Sequence, residues 1–237
     1  FFKQKTAYEI SLGLVGSGGG VEVLGNDLGV TVDASAVSGD LTLEGGQADD
    51  VLRAGSGSDI FILASGDGDD YIAGGSGSDT AVFSSSPDSL TADLTNVIAS
   101  GDEGAQDVDG DGNNDDYVEL TLGDREIYLE AGGDPLRSTV ENLTATDQAD
   151  VITGDAQANV IRGLGGGDDI AGGGGSDTLY GGGGGDYLSG GLGDDDFYAG
   201  GSASGSSASE SGVAPGDGDN RIAGGAGDDT YYVDEVG

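Results

Sequence analysis

The chain has 237 residues, 45 of them acidic and 7 basic, for a formal net charge of −38, and it contains no Cys, His, Met or Trp. Such a balance argues against nucleic acid and anionic membrane surfaces, which attract basic patches, and the missing Cys excludes disulfides and thiolate metal sites. No apolar run approaches the roughly 18 residues of a membrane span, and no signal-peptide core is visible.

Residues 1–17 read as a sequencing-adapter artefact rather than as part of the fold, with an ordinary N-terminal arm as the alternative. KQKTAYEI can be read from AAG-CAG-AAG-ACG-GCA-TAC-GAG-AT, which resembles a short-read sequencing adapter, and GLVGS at 13–17 fits the neighbouring primer segment. Residues 18–44 include VEVLGNDLGVTVDASAVSGDLTLE, short alternating apolar runs bounded by Gly and Asp. They read as strands that lead into the following block and cap its end.

From residue 45 a period of nine begins: GGQADDVLR, AGSGSDIFI, then, after Leu63 and Ala64, SGDGDDYIA and GGSGSDTAV. The sixth positions are Asp50, Asp59, Asp70 and Asp79. The Leu63–Ala64 insertion is expected to break the register of this block, and Ala81 is small for an apolar position. Residues 84–144 form a longer insert with strands expected at 90–98, 117–122 and 126–130. Within it, DVDGDGNND carries Asp107, Asp109, Asp111, Asn113 and Asp115, acidic positions around a Gly that resemble a DxDxDG calcium loop. Position 12 of that loop is Val118 rather than Glu, and a strand follows at once, so the helix–loop–helix context is missing. A solvated acidic turn is the alternative.

The second block, 145–198, reads ATDQADVIT, GDAQANVIR, GLGGGDDIA, GGGGSDTLY, GGGGGDYLS and GGLGDDDFY without a slip. Its sixth positions are Asp150, Asn159, Asp168, Asp177, Asp186 and Asp195, and its eighth are Ile152, Ile161, Ile170, Leu179, Leu188 and Phe197. Residues 199–214, rich in Ser and Gly, have no apolar period and read as a spacer. A third block, 215–237, carries Asn220 and Asp229 at sixth positions and stops within the pattern, as a fragment would. A helix is excluded by the glycine content, and a flexible linker would not keep such a register.

GGxGxDxUx, with U apolar, resembles the RTX calcium-binding nonapeptide of secreted bacterial exoproteins, and VENL at 140–143 resembles the family's lead-in to a new block. The resemblance implies an all-β fold, a parallel β-roll in which six residues form a turn, three form a short strand, and two repeats complete a coil. Glycine suits tight turns with inward carbonyls, so Gly172, Gly173, Gly175, Gly181, Gly182 and Gly184 join the aspartates as candidate site residues. Ca²⁺ takes oxygen ligands at about 2.3–2.6 Å and fits between turns of repeats n and n+2. Two inward apolar side chains per coil are too few to order a whole pair of repeats, so the metal must supply the difference.

Asn159 and Asn220 are weaker ligands than Asp, and Ala48, Gln148 and Gln157 stand where the fourth-position Gly is expected, which puts those turns in doubt. Arg53, Arg125, Arg137, Arg162 and Arg221 read as surface ion-pairing residues, and the tyrosines as packing. Without His there is no Ser-His-Asp triad and no HExxH site, no GxSxG elbow occurs, and the segment is not expected to be an enzyme. The expected function is a calcium-folded region of a large secreted, extracellular bacterial protein. The resemblance implies the type I secretion machinery as a partner. The alternatives are a module appended to a protease or lipase, and the repeat region of an adhesin or surface-layer protein with a surface partner.

Overall fold

The computed structural model describes residues 8–11, 21–24, 29–63, 68–95, 97–98, 117–122, 125–130, 140–200, 212–214, 220–227 and 229–232. Among these there is no helix. The chain passes back and forth between two sheets, of thirteen and nine strands, and a pair of two-residue strands stacks at the turns. Successive strands of the second block alternate between the sheets, and each pairs in parallel with the strand two repeats on. Ile152 lies beside Ile170 and then Leu188 in one sheet, and Ile161 beside Leu179 and then Phe197 in the other. This is the parallel roll the repeat implies.

Its core follows from the period. The eighth residue of each repeat points inward, so Ile152, Ile161, Ile170, Leu179, Leu188 and Phe197 are all buried in one apolar cluster that runs through both sheets. Ala81 belongs to the same column. It is fully buried between Phe61 and Leu143, its partners in the sheet, whose bulk accommodates a small residue there.

The strands are longer than the resemblance implies. Val160–Gly165, Asp169–Gly174, Thr178–Gly183 and Tyr187–Leu192 each continue through the first half of the next turn. Pairs such as Leu164↔Gly182 and Gly165↔Gly183 carry the ladder there. The second residue of each of these turns has positive φ: 102° at Gly173, 102° at Gly182 and 112° at Gly191. A Cβ at Gly182 would run into the Leu164 carbonyl of the coil below, so glycine is required for space as well as for conformation. Leu164, at φ 77°, is the sole non-glycine residue at positive φ among the described residues, a strain of about 1–2 kcal/mol.

Interruptions of the repeat do not interrupt the roll. Leu63–Ala64 does not break the register: Ile60 pairs with Thr80 and Val51 with Tyr71, so that coil absorbs the extra pair and its strands still match. The leading strands Val30–Asp33 and Leu41–Glu44 are themselves coils of the roll, paired in parallel with Val51–Arg53 and Ile60–Ile62. Val21–Leu24 pairs with Leu41–Glu44, and Tyr8–Ser11, within residues 1–17, pairs with Val30–Asp33.

The insert adds strands to one sheet. Leu90–Asp93 runs parallel to Val151–Thr153, and the antiparallel pair Tyr117–Leu122 and Arg125–Glu130 joins it to Asp70–Ala73. The other sheet closes directly from Thr80–Val82 onto Asn142–Thr144. At the far end, Tyr187 pairs with Arg221 and Asp196 with Thr230, a longer step than an ordinary coil takes. The excess equals the span 199–214, so the chain returns in phase after the spacer. The last residues of that span, Gly212–Ala214, pair antiparallel with Asn220–Ala226 rather than remaining free of structure.

On the outer face, the ninth residues line up. Tyr180, Tyr198 and Tyr232 stack ring on ring at 4.5 and 4.4 Å, and Arg162 caps the row with its guanidinium 4.8 Å from the Tyr180 ring centre. Arg162 thus has a stacking role beyond ion pairing.

Candidate metal centre

The sixth residue of each repeat ends a turn and begins a strand, which places its side chain beneath the preceding turn. Its Oδ1 accepts the backbone N–H of the equivalent residue one coil earlier. The distances are 3.0 Å from Asp150 to Asp168, 3.0 Å from Asp168 to Asp186, 2.8 Å from Asn159 to Asp177, and 2.9 Å from Asp177 to Asp195. The same bond links Asp50 to Asp70 at 2.9 Å and Asp59 to Asp79 at 2.8 Å. Across the spacer, Asp195 donates to Asp229 at 3.1 Å. The carboxylates therefore stand in columns, one per coil, and all those from Asp50 to Asp195 are buried.

The second oxygen is different. Oδ2 of Asp59, Asp79, Asp168, Asp177 and Asp195 is buried and accepts no hydrogen bond. A buried carboxylate oxygen without a partner costs far more than a satisfied one, so these positions call for a cation or a proton. The first-position glycines make room for it. A Cβ at Gly163, Gly172, Gly181 or Gly190 would collide with Oδ2 of Asp168, Asp177, Asp186 or Asp195 respectively. The carbonyls of Gly190, Ala199 and Gly224 lie beside Gly172, Gly181 and Gly190, 2.7–2.9 Å from where such a Cβ would sit. Oxygen donors from two successive coils thus converge on each glycine gap. Among the described residues no three acidic side chains gather as a metal-holding group. An ion here relies on paired carboxylates and backbone carbonyls, a donor set that suits Ca²⁺.

Electrostatics point the same way. Burial pushes the carboxyls of Asp79, Asp168 and Asp177 up to about 7, against backbone hydrogen bonds that lower them. Neighbouring carboxylates add to the rise: Asp59 and Glu141 beside Asp79, Asp186 and Asp150 beside Asp168, Asp195 and Asp155 beside Asp177. Asp50, Asp59, Asp150 and Asp195 are raised too, again chiefly by burial.

Three turns are built otherwise, and they are those that lack the fourth-position Gly. In 45–50 the Gly46 N–H donates to Asp50 Oδ2 at 2.6 Å. In 145–150 the Thr146 N–H and hydroxyl both donate to Asp150, at 3.0 Å to Oδ2 and 2.9 Å to Oδ1. In 154–159 the Asp155 N–H donates to Asn159 Oδ1 at 3.0 Å, while the Asp155 carboxylate accepts the Gln157 N–H at 2.7 Å. Each of these turns closes on its own side chain, so the oxygen left open elsewhere is already used.

Of the remaining candidates, Gly173, Gly175, Gly182 and Gly184 all take positive φ and stack on the turn one coil below, shaping the cleft rather than reaching into it. Asn220 begins a strand and Asp229 joins the column through Asp195. Asp107, Asp109, Asp111, Asn113 and Asp115 lie outside the described residues. The repeat pattern misses Glu141, which stands beside Asp79 with its Oε2 accepting the Asp79 N–H at 2.8 Å. Counting back one whole coil from Asn159 would have found it. It also misses Asp155, a carboxylate at a second position where later turns have glycine or Leu164.

Asp177→Ala should raise the Ca²⁺ midpoint of folding clearly more than Asp150→Ala, read by circular dichroism during calcium titration, because Asp150 already has its partners within its own turn. Equal midpoints would contradict the distinction. The raised carboxyls set the pH dependence. Their folded-state values lie above the unfolded value near 3.8, so the metal-free roll has their full contribution below that value and loses it as pH rises through about 7. In excess chelator the β signal should therefore increase on lowering the pH from 8 to 5, and with calcium the midpoint should climb over the same range as protons compete.

The RTX calcium-binding nonapeptide repeat family matches residues 38–67, 62–81, 139–170, 171–203 and 216–235, more than half of the chain. No curated protein matches it. The matched segments carry the stacked carboxylates and glycine gaps described above, and the chain belongs to the RTX calcium-binding repeat family.

Proposed function

We propose that this segment is a calcium-gated folding region of a secreted bacterial protein, loosely structured at cytosolic calcium and completed outside the cell. The observation that carries the reading is the set of buried Oδ2 atoms without partners on carboxylates stacked one per coil. Asp59 with Asp79, Asp168 with Asp186, Asp177 with Asp195, and Asp195 with Asp229 are the pairs that would hold Ca²⁺, together with turn carbonyls. The bound ion neutralises two carboxylates at once and occupies the acceptors that the fold leaves open. The chain's own residues do the rest: Oδ1 ties each turn to the one before it, and glycine keeps the cleft free of side chains.

Linkage supplies the gate. A site with Kd near 0.1 mM, within the range of extracellular modules, gains about 2.7 kcal/mol when calcium exceeds Kd a hundredfold, and almost nothing at about 1 μM. Several sites in one cooperative roll then add up to the order of a domain's whole stability. Repeats that stay open inside the cell and close outside it are consistent with type I secretion, and we assign the segment a scaffolding rather than a catalytic role. Far-UV circular dichroism of the whole chain should gain β signal cooperatively on adding millimolar Ca²⁺. An identical spectrum in excess chelator would overturn the reading.

A further inference from the structure

The roll is not held together in the same way along its whole length. Where the insert joins the second block, an amide, Asn159, stands at the position that a carboxylate holds in most other coils, and a second, Asn142, follows the carboxylate Glu141 one coil earlier. Asn159 Nδ2 donates to the Glu141 carbonyl at 2.7 Å, bridging two coils with an N–H. Beside it, Asn142 Nδ2 donates to the Asp79 carbonyl and to Ser78 Oγ, both at 3.0 Å, and Asn142 Oδ1 accepts the Val160 N–H at 2.8 Å. Three successive coils are thereby joined by neutral hydrogen bonds. The adjoining turns 145–150 and 154–159 close on themselves as well.

The same stretch has more apolar filling. A nonapeptide coil buries one large side chain per strand, such as Ile170 and Leu179. The hairpin strands of the insert bury more: Val118, Leu120 and Leu122 in one and Ile127 and Leu129 in the other are all fully buried. The hairpin Tyr117–Leu122 and Arg125–Glu130 pairs along its whole length, and its outer face covers a second small cluster in which Tyr117 meets Tyr128 edge to face at 5.1 Å. Beyond Arg162 both devices disappear, and the open carboxylates of Asp168, Asp177 and Asp195 begin.

We infer that the strands Leu90–Asp93, Tyr117–Leu122 and Arg125–Glu130 of the insert and the coils from Val140 to Arg162 form a centre that stays folded without calcium, and that the repeats from Gly163 onward add to it only when calcium binds. This rests on the calcium-gated reading and divides the molecule within it. The centre gives the calcium-dependent coils a formed sheet edge, Val151–Thr153 and residues 160–162, on which to stack, so they avoid the cost of starting a roll afresh.

Hydrogen exchange of the full chain, compared in excess chelator and in millimolar Ca²⁺, tests the division. In chelator, amides of Tyr117–Leu122, Ile127–Glu130 and Asn142–Thr144 should exchange at least about tenfold more slowly than an unstructured chain, whereas those around Leu179, Leu188 and Phe197 exchange at the unstructured rate and become protected with calcium. Loss of protection everywhere in chelator would overturn the folded centre and leave calcium gating intact. Protection everywhere in chelator would overturn both. Asn159→Asp separates the amide bridge from the apolar filling. It should remove chelator-state protection at Asn142–Thr144, with recovery in calcium, and unchanged protection there would show that the amide does not hold the joint.

Discussion

Everything in this roll depends on one carboxylate placed at each turn, with its two oxygens in different circumstances. Oδ1 is tied to the backbone one coil back, at 2.8–3.1 Å along both columns. Oδ2 is left buried in a gap that glycine holds open. The first bond fixes the spacing between coils, and the fixed spacing forces like charges into proximity. A fold so arranged gathers buried negative charge at neutral pH, and the proposed role of a divalent cation follows from its register.

The exceptions show the same constraint from the other side. Where the fourth-position Gly is absent, at Ala48, Gln148 and Gln157, the turn takes another shape and its sixth side chain is satisfied by a nearby N–H or hydroxyl. A turn of this kind has its side-chain oxygen already used by its own donors. Two of the three lie beside the insert and its buried leucines. The far repeats have the reverse balance, rich in open carboxylates and poor in apolar side chains.

Much of this was legible in the sequence, because a nine-residue period fixes which side chains face inward. The eighth-position residues from Ile152 to Phe197 and the sixth-position aspartates lie where the repeat places them. The alternating runs of the insert predict strands at 90–98, 117–122 and 126–130; the structure splits the first into Leu90–Asp93 and Val97–Ile98 and has the others at Tyr117–Leu122 and Arg125–Glu130. Pairing was the part not legible. Nothing local in Leu63–Ala64 or in 199–214 states that the chain returns in phase, because register is decided by the buried face across coils rather than by spacing along the chain. Glu141 and Asn142 escaped for the same reason: their roles exist only once Asp79 and Asn159 are brought beside them.

The central claim is that the partnerless Oδ2 atoms are calcium ligands. A crystal structure grown in millimolar calcium tests it most directly, through the anomalous signal and distances at Asp168 and Asp177. An ion should lie about 2.3–2.6 Å from each Oδ2, shared with turn carbonyls of the neighbouring coil, and none should be bound at Asn159. A water or a protein N–H bonded to Oδ2 in a fully formed roll would contradict it.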